Sequence, residues 1–360
     1  LNLSSNDYLG LASDPETRRL LQHAADSEPA GATASRLVVG DMPSHREAEA
    51  RLASYVSHAD AVLYPSGYSA NTGVIPALVG PGDAVLSDSL NHASLIDAIR
   101  LSRATPLIYR HRDAQHAHDV AKTHAARHAV RRWLIVTDSL FSMDADEAPL
   151  VELAELARHL SGALLVDEAH SLGVLGPAGR GACALRNVVP DVLVGTLGKA
   201  FGLAGAFAAC DAHVARWLRN TSRSFVYSTG TLPLLARAIA SQVQRVHDAE
   251  EGRARIRRHA LALRTSLADV GATVLPDTPT GSPIVPWVLG TPHAAIAASA
   301  ALRERGIFAQ PIRPPTVPAG TSRLRLVPTA AHTEADVDHA AEVVREVASF
   351  LGRADGVPVR

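Results

Sequence analysis

Lysine is nearly absent from this chain: two residues, Lys122 and Lys199, stand against 33 arginines. Cysteine is as scarce. Cys183 and Cys210 have no metal-ligand spacing and offer no disulfide framework, which suits a reducing cytoplasm. Excess charge of either sign is missing too, with a net −1 and a pI near 7.1, so no electrostatic footprint for nucleic acid or an anionic membrane exists. No apolar run reaches membrane-spanning length, and no basic start leads into a short apolar core. Neither a membrane span nor a signal peptide is expected. The chain starts at Leu1 rather than Met, so a preceding segment is expected. What is present, 47% apolar and 20% charged residues over 360 positions, is ordinary for a globular protein of two domains or one large α/β unit.

Residues 1–10 read as extended, with a turn at Asn6–Asp7. A helix is expected from Pro15 to about Ala25 with Asp14 as N-cap, a loop over 30–45, and a helix over Ser44–His58. A rhythm then sets in. Short apolar runs at Ala61–Tyr64, Ala84–Leu86, Leu107–Tyr109, Trp133–Val136, Ala163–Val166, Val192–Val194 and Ala206–Ala209 have strand length. Helical patterns separate most of them, as at Ala70–Leu78, His92–Arg103 and Val151–His159. That alternation predicts an α/β fold whose central sheet is mainly parallel and covered by helices on both faces. After about residue 245 the texture changes. A charged helix (His247–Leu267), strand-like Ala272–Leu275, Ile284–Leu289, Ile307–Phe308 and Leu324–Val327, and helices over Ala294–Arg305 and Thr333–Leu351 predict a smaller α/β domain. The expected division is 1–30 as an N-terminal segment, 31–245 as the large domain and 246–360 as the small one.

In parallel sheets ligands sit beyond the carboxyl ends of the strands. There the chain places Pro65-Ser66-Gly67-Tyr68, Asp138-Ser139 leading to Ser142, Asp167-Glu168-Ala169-His170, and Thr196 to Lys199. Arginine keeps its charge, whereas a desolvated lysine can lose its proton and become an amine nucleophile. Lys199, in Gly195-Thr196-Leu197-Gly198-Lys199-Ala200-Phe201-Gly202, is therefore a candidate nucleophile; an ordinary lysine at a loop–helix junction is the alternative. Asp167 closes an apolar strand and needs a cationic or donor partner. Ser66-Gly67-Tyr68 runs from a strand into a helix start, which favours a phosphate. An aspartate for a ring nitrogen, a lysine for an aldehyde and a helix start for phosphate together describe a pyridoxal phosphate pocket. The cluster His111, His116, His118, His124 and His128 lacks carboxylate or Cys partners at ligand spacing. It reads as an exposed helix, with no metal expected.

Seven motifs in order carry a resemblance over nearly the whole chain: Ser5-Asn6-Asp7-Tyr8-Leu9-Gly10, Ser35-Arg36-Leu37 with Gly40 and His45, Ser66-Gly67-Tyr68 with Asn71, Asn91-His92-Ala93-Ser94-Leu95, Phe141-Ser142-Met143-Asp144, Val166-Asp167-Glu168-Ala169-His170, and Thr196-Leu197-Gly198-Lys199. On these the chain resembles the α-oxoamine synthases, fold-type-I pyridoxal phosphate enzymes that condense an amino acid with an acyl thioester and lose CO2. The resemblance implies that Lys199 binds the cofactor covalently and later moves the Cα proton. Asp167 would pair with the pyridine nitrogen, His170 would bond the phenolic oxygen, and His92 would stack on the ring. Ser66, Gly67, Tyr68, Ser142 and Thr196 would hold phosphate or ring. Ser228 and Thr229 would reach the phosphate of a partner subunit, since these enzymes work as dimers with shared sites. Asn6 and Arg325 would grip the amino-acid carboxylate, with Arg323 as the rival for that role, and Thr316 would touch the acyl substrate. Arg313-Pro314-Pro315-Thr316-Val317-Pro318, followed by Gly320-Thr321-Ser322-Arg323-Leu324-Arg325-Leu326, is most similar to the biotin-pathway branch, which joins L-alanine to a pimeloyl thioester. Branches that take glycine or serine with acetyl, succinyl or palmitoyl thioesters, and a catalytically silent binding protein on the same fold, are the alternatives.

The chain departs from the family pattern in three places. Gly31-Ala32-Thr33-Ala34 precedes Ser35-Arg36 where relatives are richer in glycine, Ser171 follows His170 where Gly or Thr is usual, and Ala145 stands where Gly often follows Met-Asp. An arginine that helps bind substrate in some relatives would lie before Leu1. Two other readings fail on the residues. Asp167-Glu168-Ala169-His170 spells a helicase motif, but no phosphate loop precedes it. Gly67-Tyr68-Ser69-Ala70-Asn71 lacks the last glycine of a hydrolase elbow.

Overall fold

A computed structural model describes residues 1–276 and 281–354. The chain divides into two compact units: Leu11–Phe141 with Glu147–Asp248, and Leu1–Gly10 with Ser142–Asp146 and the chain from Ala249 onward. The segment 1–30, expected as a unit of its own, is thus split after Gly10.

The larger unit is built on seven strands: β1 (Asp60–Tyr64), β2 (Ala84–Asp88), β3 (Thr105–Tyr109), β4 (Trp133–Asp138), β5 (Ala163–Asp167), β6 (Val192–Thr196) and β7 (Ala206–Cys210). They lie in the order β1-β7-β6-β5-β4-β2-β3. All pairings are parallel except those of β7, which runs antiparallel to both β1 and β6. Each of the seven expected runs is a strand. Their helices are α1 (Pro15–Ser27), α2 (Pro43–Tyr55), α3 (Gly67–Leu78), α4 (Ala93–Ser102), α5 (Ala114–Ala125), α6 (Leu150–His159), α7 (Ala182–Leu185), α8 (Ala212–Thr221), α9 (Arg223–Val226) and α10 (Pro233–His247). Asp14 caps α1 by accepting from the Thr17 N–H, as expected, and Ser66 and Asp113 do the same for α3 and α5. The core joins Val62, Tyr64, Val85, Leu134, Val136, Leu165, Val192 and Val194 of the sheet to Val74 and Ile75 of α3 and Leu95 and Ile99 of α4. Strands buried on both faces read as unbroken apolar runs, so periodicity found them.

The smaller unit pairs β8 (Val285–Gly290), β9 (Pro311–Ile312) and β10 (Ser322–Leu326) in the order β8-β10-β9, with α11 (Glu250–Ala268), α12 (Pro292–Glu304) and α13 (Glu334–Ala354). Thr333 and Asp336 bond reciprocally at the start of α13 (Thr333 N–H to Asp336 Oδ2 at 2.8 Å, Asp336 N–H to Thr333 Oγ1 at 3.1 Å), the capping arrangement read from the sequence. Two expected strands are corrected. Ala272–Leu275 contributes only an isolated bridge from Val274 to Trp287, and Ile307–Phe308 only one from Phe308 to Asn2.

Candidate active site

In the larger unit the polar residues that end β4, β5 and β6 are Asp138, Asp167 and Thr196. Parallel register sets Asp138 directly beside Asp167. Asp167 is buried, and its two oxygens are held separately: Asn71 Nδ2 donates to Oδ2 at 2.7 Å and the Ala169 N–H to Oδ1 at 2.9 Å. The neighbouring Glu168 has a different set of partners. It accepts from the Ala182 and Cys183 N–H groups at 2.9 and 2.6 Å and from Ser139 Oγ at 3.1 Å, and Ser171 Oγ also bonds it. The unusual Ser171 thus puts its hydroxyl to use inside a buried carboxylate cage.

Lys199 lies in the loop between β6 and β7. Backbone bonds from Gly202 N–H to the Lys199 carbonyl, Leu203 to Leu197 and Leu197 to Gly205 hold that loop. Gly202 is required there: its φ is +65°, and a Cβ would stand 2.4 Å from the Ala12 nitrogen. The half-buried Lys199 Nζ is 2.9 Å from His170 Nε2.

His92 is the N-cap of α4, accepting the Ser94 N–H on Nδ1. Its own main-chain N–H donates to Asp138 Oδ2 at 2.7 Å. Partial removal of the ring from water lowers the His92 pKa; Asp167 pulls it back up and Lys199 pushes it further down. One imidazole therefore senses both the carboxylate and the amine.

Burial holds the Asp138 carboxyl well above the usual range. The Asp167 charge adds to this, while the His92 N–H and Lys199 oppose it. A carboxyl with a raised folded pKa loses its stabilising contribution as pH climbs toward that raised value. Asp138→Asn mimics the protonated acid and keeps an acceptor for the His92 N–H. On ligand-free protein it is expected to gain about 1–2 kcal/mol over the parent at pH 8. The gain, read from thermal unfolding at several pH values, should shrink as pH falls toward about 4; a pH-independent difference would refute the assignment.

Ser66, Gly67 and Tyr68 form the start of α3. Ser66 Oγ takes the Ser69 N–H at 3.1 Å, while among the described residues the Gly67 and Tyr68 N–H groups have no partner. A Cβ on Gly67 would lie 4.0 Å from Thr196 Oγ1, so the Thr196 hydroxyl faces this helix start. Tyr68 is exposed and its hydroxyl donates to Asp97 at 2.6 Å. Ser228 and Thr229 lie in the surface segment after α9, where Ser228 Oγ donates to the Thr229 carbonyl. The donor set suits pyridoxal phosphate: an amine for its aldehyde, a braced carboxylate for its ring nitrogen, and free N–H groups with a hydroxyl for its phosphate.

The smaller unit holds Asn6, Ser142, Thr316 and Arg325. Arg325, buried on β10, donates from Nε to the Ser142 carbonyl at 2.5 Å, from Nη1 to Asn6 Oδ1 at 2.9 Å and from Nη2 to Tyr8 Oη at 3.3 Å. All three acceptors are neutral, and among the described residues no carboxylate pairs with Arg325. Arg323, by contrast, is tied to Asp144 Oδ1 and the Met143 carbonyl, both at 2.7 Å. Thr316 is exposed, its N–H bonded to the Arg313 carbonyl at 3.0 Å. Thr33 and Ala145, at two of the places where the chain departs from the expected pattern, both have φ of +62°, the left-handed region that favours glycine.

Sequence reading assigned no role to Asn71, Ser94, Asp138, Glu168 or Tyr8. Asn71, Ser94, Glu168 and Tyr8 stand inside the family motifs; only the fold shows what they touch.

Solved structures match across the chain. A serine palmitoyltransferase from S. paucimobilis, solved with PLP and myriocin bound, superposes with a TM-score of 0.91 at 28% identity, covering 99% of this chain and 88% of that one. An 8-amino-7-oxononanoate synthase from Francisella tularensis gives 0.84 at 25% identity over 99% of both chains. The protein thus has the fold of the fold-type-I pyridoxal phosphate transferases. The model of the aminotransferase class I and II family matches residues 1–344, and the chain belongs to that family. Curated relatives named 8-amino-7-oxononanoate synthase include one from Anaeromyxobacter sp. (strain Fw109-5), 48% identical over 98% of this chain and 87% of the relative. Another, from Anaeromyxobacter dehalogenans (strain 2CP-1), is 47% identical over 94% and 84%.

Proposed function

We propose that this protein uses pyridoxal 5'-phosphate to condense L-alanine with a pimeloyl thioester, on CoA or an acyl-carrier protein, giving 8-amino-7-oxononanoate, CO2 and the free thiol carrier. The observation that carries the reading is the gathering of Lys199, His170, His92 and the braced Asp167 in one unit, within a chain 47–48% identical to relatives of that name. When bound, the cofactor supplies an electron sink for the negative charge developed at Cα. Lys199 would hold the cofactor and, as a free amine, would take and return the Cα proton. Asp167, kept in place by Asn71 and the Ala169 N–H, would pair with the protonated ring nitrogen, a preorganised electrostatic effect. His170 would bond the phenolic oxygen and His92 would stack on the ring. Ser66, Gly67, Tyr68, Ser142 and Thr196 would hold phosphate or ring. Arg325, with Asn6, grips the alanine carboxylate, and Thr316 touches the acyl chain.

We also infer a homodimer in which Ser228 and Thr229 reach the partner's phosphate. The Gly230 N–H bonds the Ala34 carbonyl, which joins two loops that expose Leu37, Val38, Val39 and Tyr227, an apolar surface suited to a second copy. A cytoplasmic location fits two buried, unpaired thiols. Among the described residues no helix is long and apolar enough to cross a membrane.

The serine palmitoyltransferase neighbours carry the rival reading, a related condensation with another amino acid and thioester. Release of free CoA from pimeloyl-, acetyl-, succinyl- and palmitoyl-CoA, each with alanine, glycine and serine, separates the two. Alanine with pimeloyl-CoA should give the highest kcat/KM; a preference for serine with palmitoyl-CoA would overturn the proposal.

A further inference from the structure

We infer that Asn71 and Ser94 form a hydrogen-bond relay from Asp167 to His92 that fixes the His92 imidazole in its neutral form, protonated on Nε2 alone. Both are then positioning residues for the site.

The directions of the bonds follow from one end. The Asp167 carboxylate only accepts, so the group 2.7 Å from its Oδ2 is the Asn71 amide nitrogen, not its oxygen. The second hydrogen of that nitrogen goes to Ser94 Oγ at 2.9 Å. With a lone pair so engaged, the Ser94 hydroxyl turns its one proton toward His92 Nδ1, 2.8 Å away. The Ser94 main-chain N–H points at the same nitrogen from 3.2 Å. A main-chain N–H can only donate, so Nδ1 carries no proton and the ring proton sits on Nε2.

Two further observations favour a functional relay over incidental packing. Asn71 and Ser94 are almost wholly buried, at 0% and 1% exposure, while His92 itself stays open to solvent. Asn71 Oδ1, the other end of the amide, is buried with no hydrogen-bond partner among the described residues. The amide is therefore placed for its two donors at the expense of its acceptor. The charged groups around His92 are Asp138, which takes its main-chain N–H, and Asp167 and Lys199, which act on the ring in opposite senses. A second ring proton on Nδ1 would be driven into two Ser94 donors. The relay thus resists protonation and couples the charge on Asp167 to the state of His92.

The consequence for turnover rests on the proposed role of His92 at the cofactor, but the protonation state itself can be read without any reaction. Protein labelled with 15N-histidine is compared by multiple-bond 1H–15N spectra from pH 5 to 8, both loaded with pyridoxal phosphate and stripped, with His92→Gln to assign the signals. In the parent, Nδ1 of His92 should resonate as a bare ring nitrogen. In Ser94→Ala, which loses the 2.8 Å hydroxyl donor and keeps the longer 3.2 Å main-chain one, both nitrogens should shift part of the way toward the position averaged over two tautomers, the His92 midpoint should rise, and Ser94→Thr should restore the parent pattern. Turnover should fall about tenfold in Ser94→Ala, with the acid limb of its pH profile displaced upward. Should Ser94→Ala fail to fold, Asn71→Ala tests the same link, because it frees the Ser94 hydroxyl to rotate. Parent-like His92 signals in a folded variant overturn the relay. Altered signals with an unchanged choice of substrates support it even if the proposed reaction is wrong.

Discussion

Lys199→Ala is expected to lower turnover by at least about a thousandfold while leaving the protein folded. The loss should be large because nothing nearby can take the role. His170, 2.9 Å from Nζ, is an imidazole that cannot bind an aldehyde as a primary amine does, and Lys122, the other lysine, lies on the exposed face of α5. The fold should survive because main-chain bonds hold the loop: the Lys199 carbonyl still accepts from Gly202, and Leu197 still bridges Leu203 and Gly205. Three readouts make the test complete: turnover, the visible absorption of covalently held cofactor, and the melting temperature. A variant that keeps appreciable turnover would remove Lys199 from the mechanism. One that melts far below the parent would assign the side chain to stability instead.

Arg325→Ala and Arg323→Ala should part company. The Arg325 guanidinium is buried among a carbonyl, an amide and a phenol, so its charge remains available to an incoming carboxylate. Charge-assisted bonds contribute about 1.5–3 kcal/mol each, so the apparent KM for alanine should rise by roughly 10- to 100-fold, and that for the thioester far less. Arg323 already spends its charge on Asp144, with the arginine 3% and the aspartate 20% exposed at the side chain. Removing it leaves a half-hidden carboxylate uncompensated. Arg323→Ala should therefore cost about 2–3 kcal/mol of stability in denaturant unfolding, with little change in the KM for alanine. The opposite pattern would give the carboxylate to Arg323.

The large unit was legible because six of its seven strands are buried along most of their length, the edge strand β3 being the exception. Ala61–Tyr64 through Ala206–Ala209 stand out as apolar runs, yet each of the seven extends by one or two residues that the runs omit. Asp88, Asp138, Asp167 and Thr196 end strands and are polar, so an apolar pattern stops just short of the residues that matter most. The helix α10, Pro233–His247, has no counterpart among the expected elements, and the charged helix expected from His247 is α11, Glu250–Ala268. In the small unit the weak strands failed for a different reason: β9 has two residues, below what periodicity can register. At the site, single residues with unusual chemistry were readable one by one. Their links were not, since Asn71 meets Asp167 across 96 positions and Ser94 across 23. Nor does spacing distinguish Arg323 from Arg325; only the position of Asp144 does so.

The scarcity of lysine has a practical corollary. With one side-chain amine on the outside of α5 and the other beside His170, an acylating reagent meets two chemically distinct lysines, whose modified peptides are told apart from that of the terminal α-amine by mass. Mass spectrometry after mild acetylation would count one modified side chain when Lys199 is shielded and two when it is bare. The chain thereby carries its own gauge of occupancy, readable without colour or catalysis.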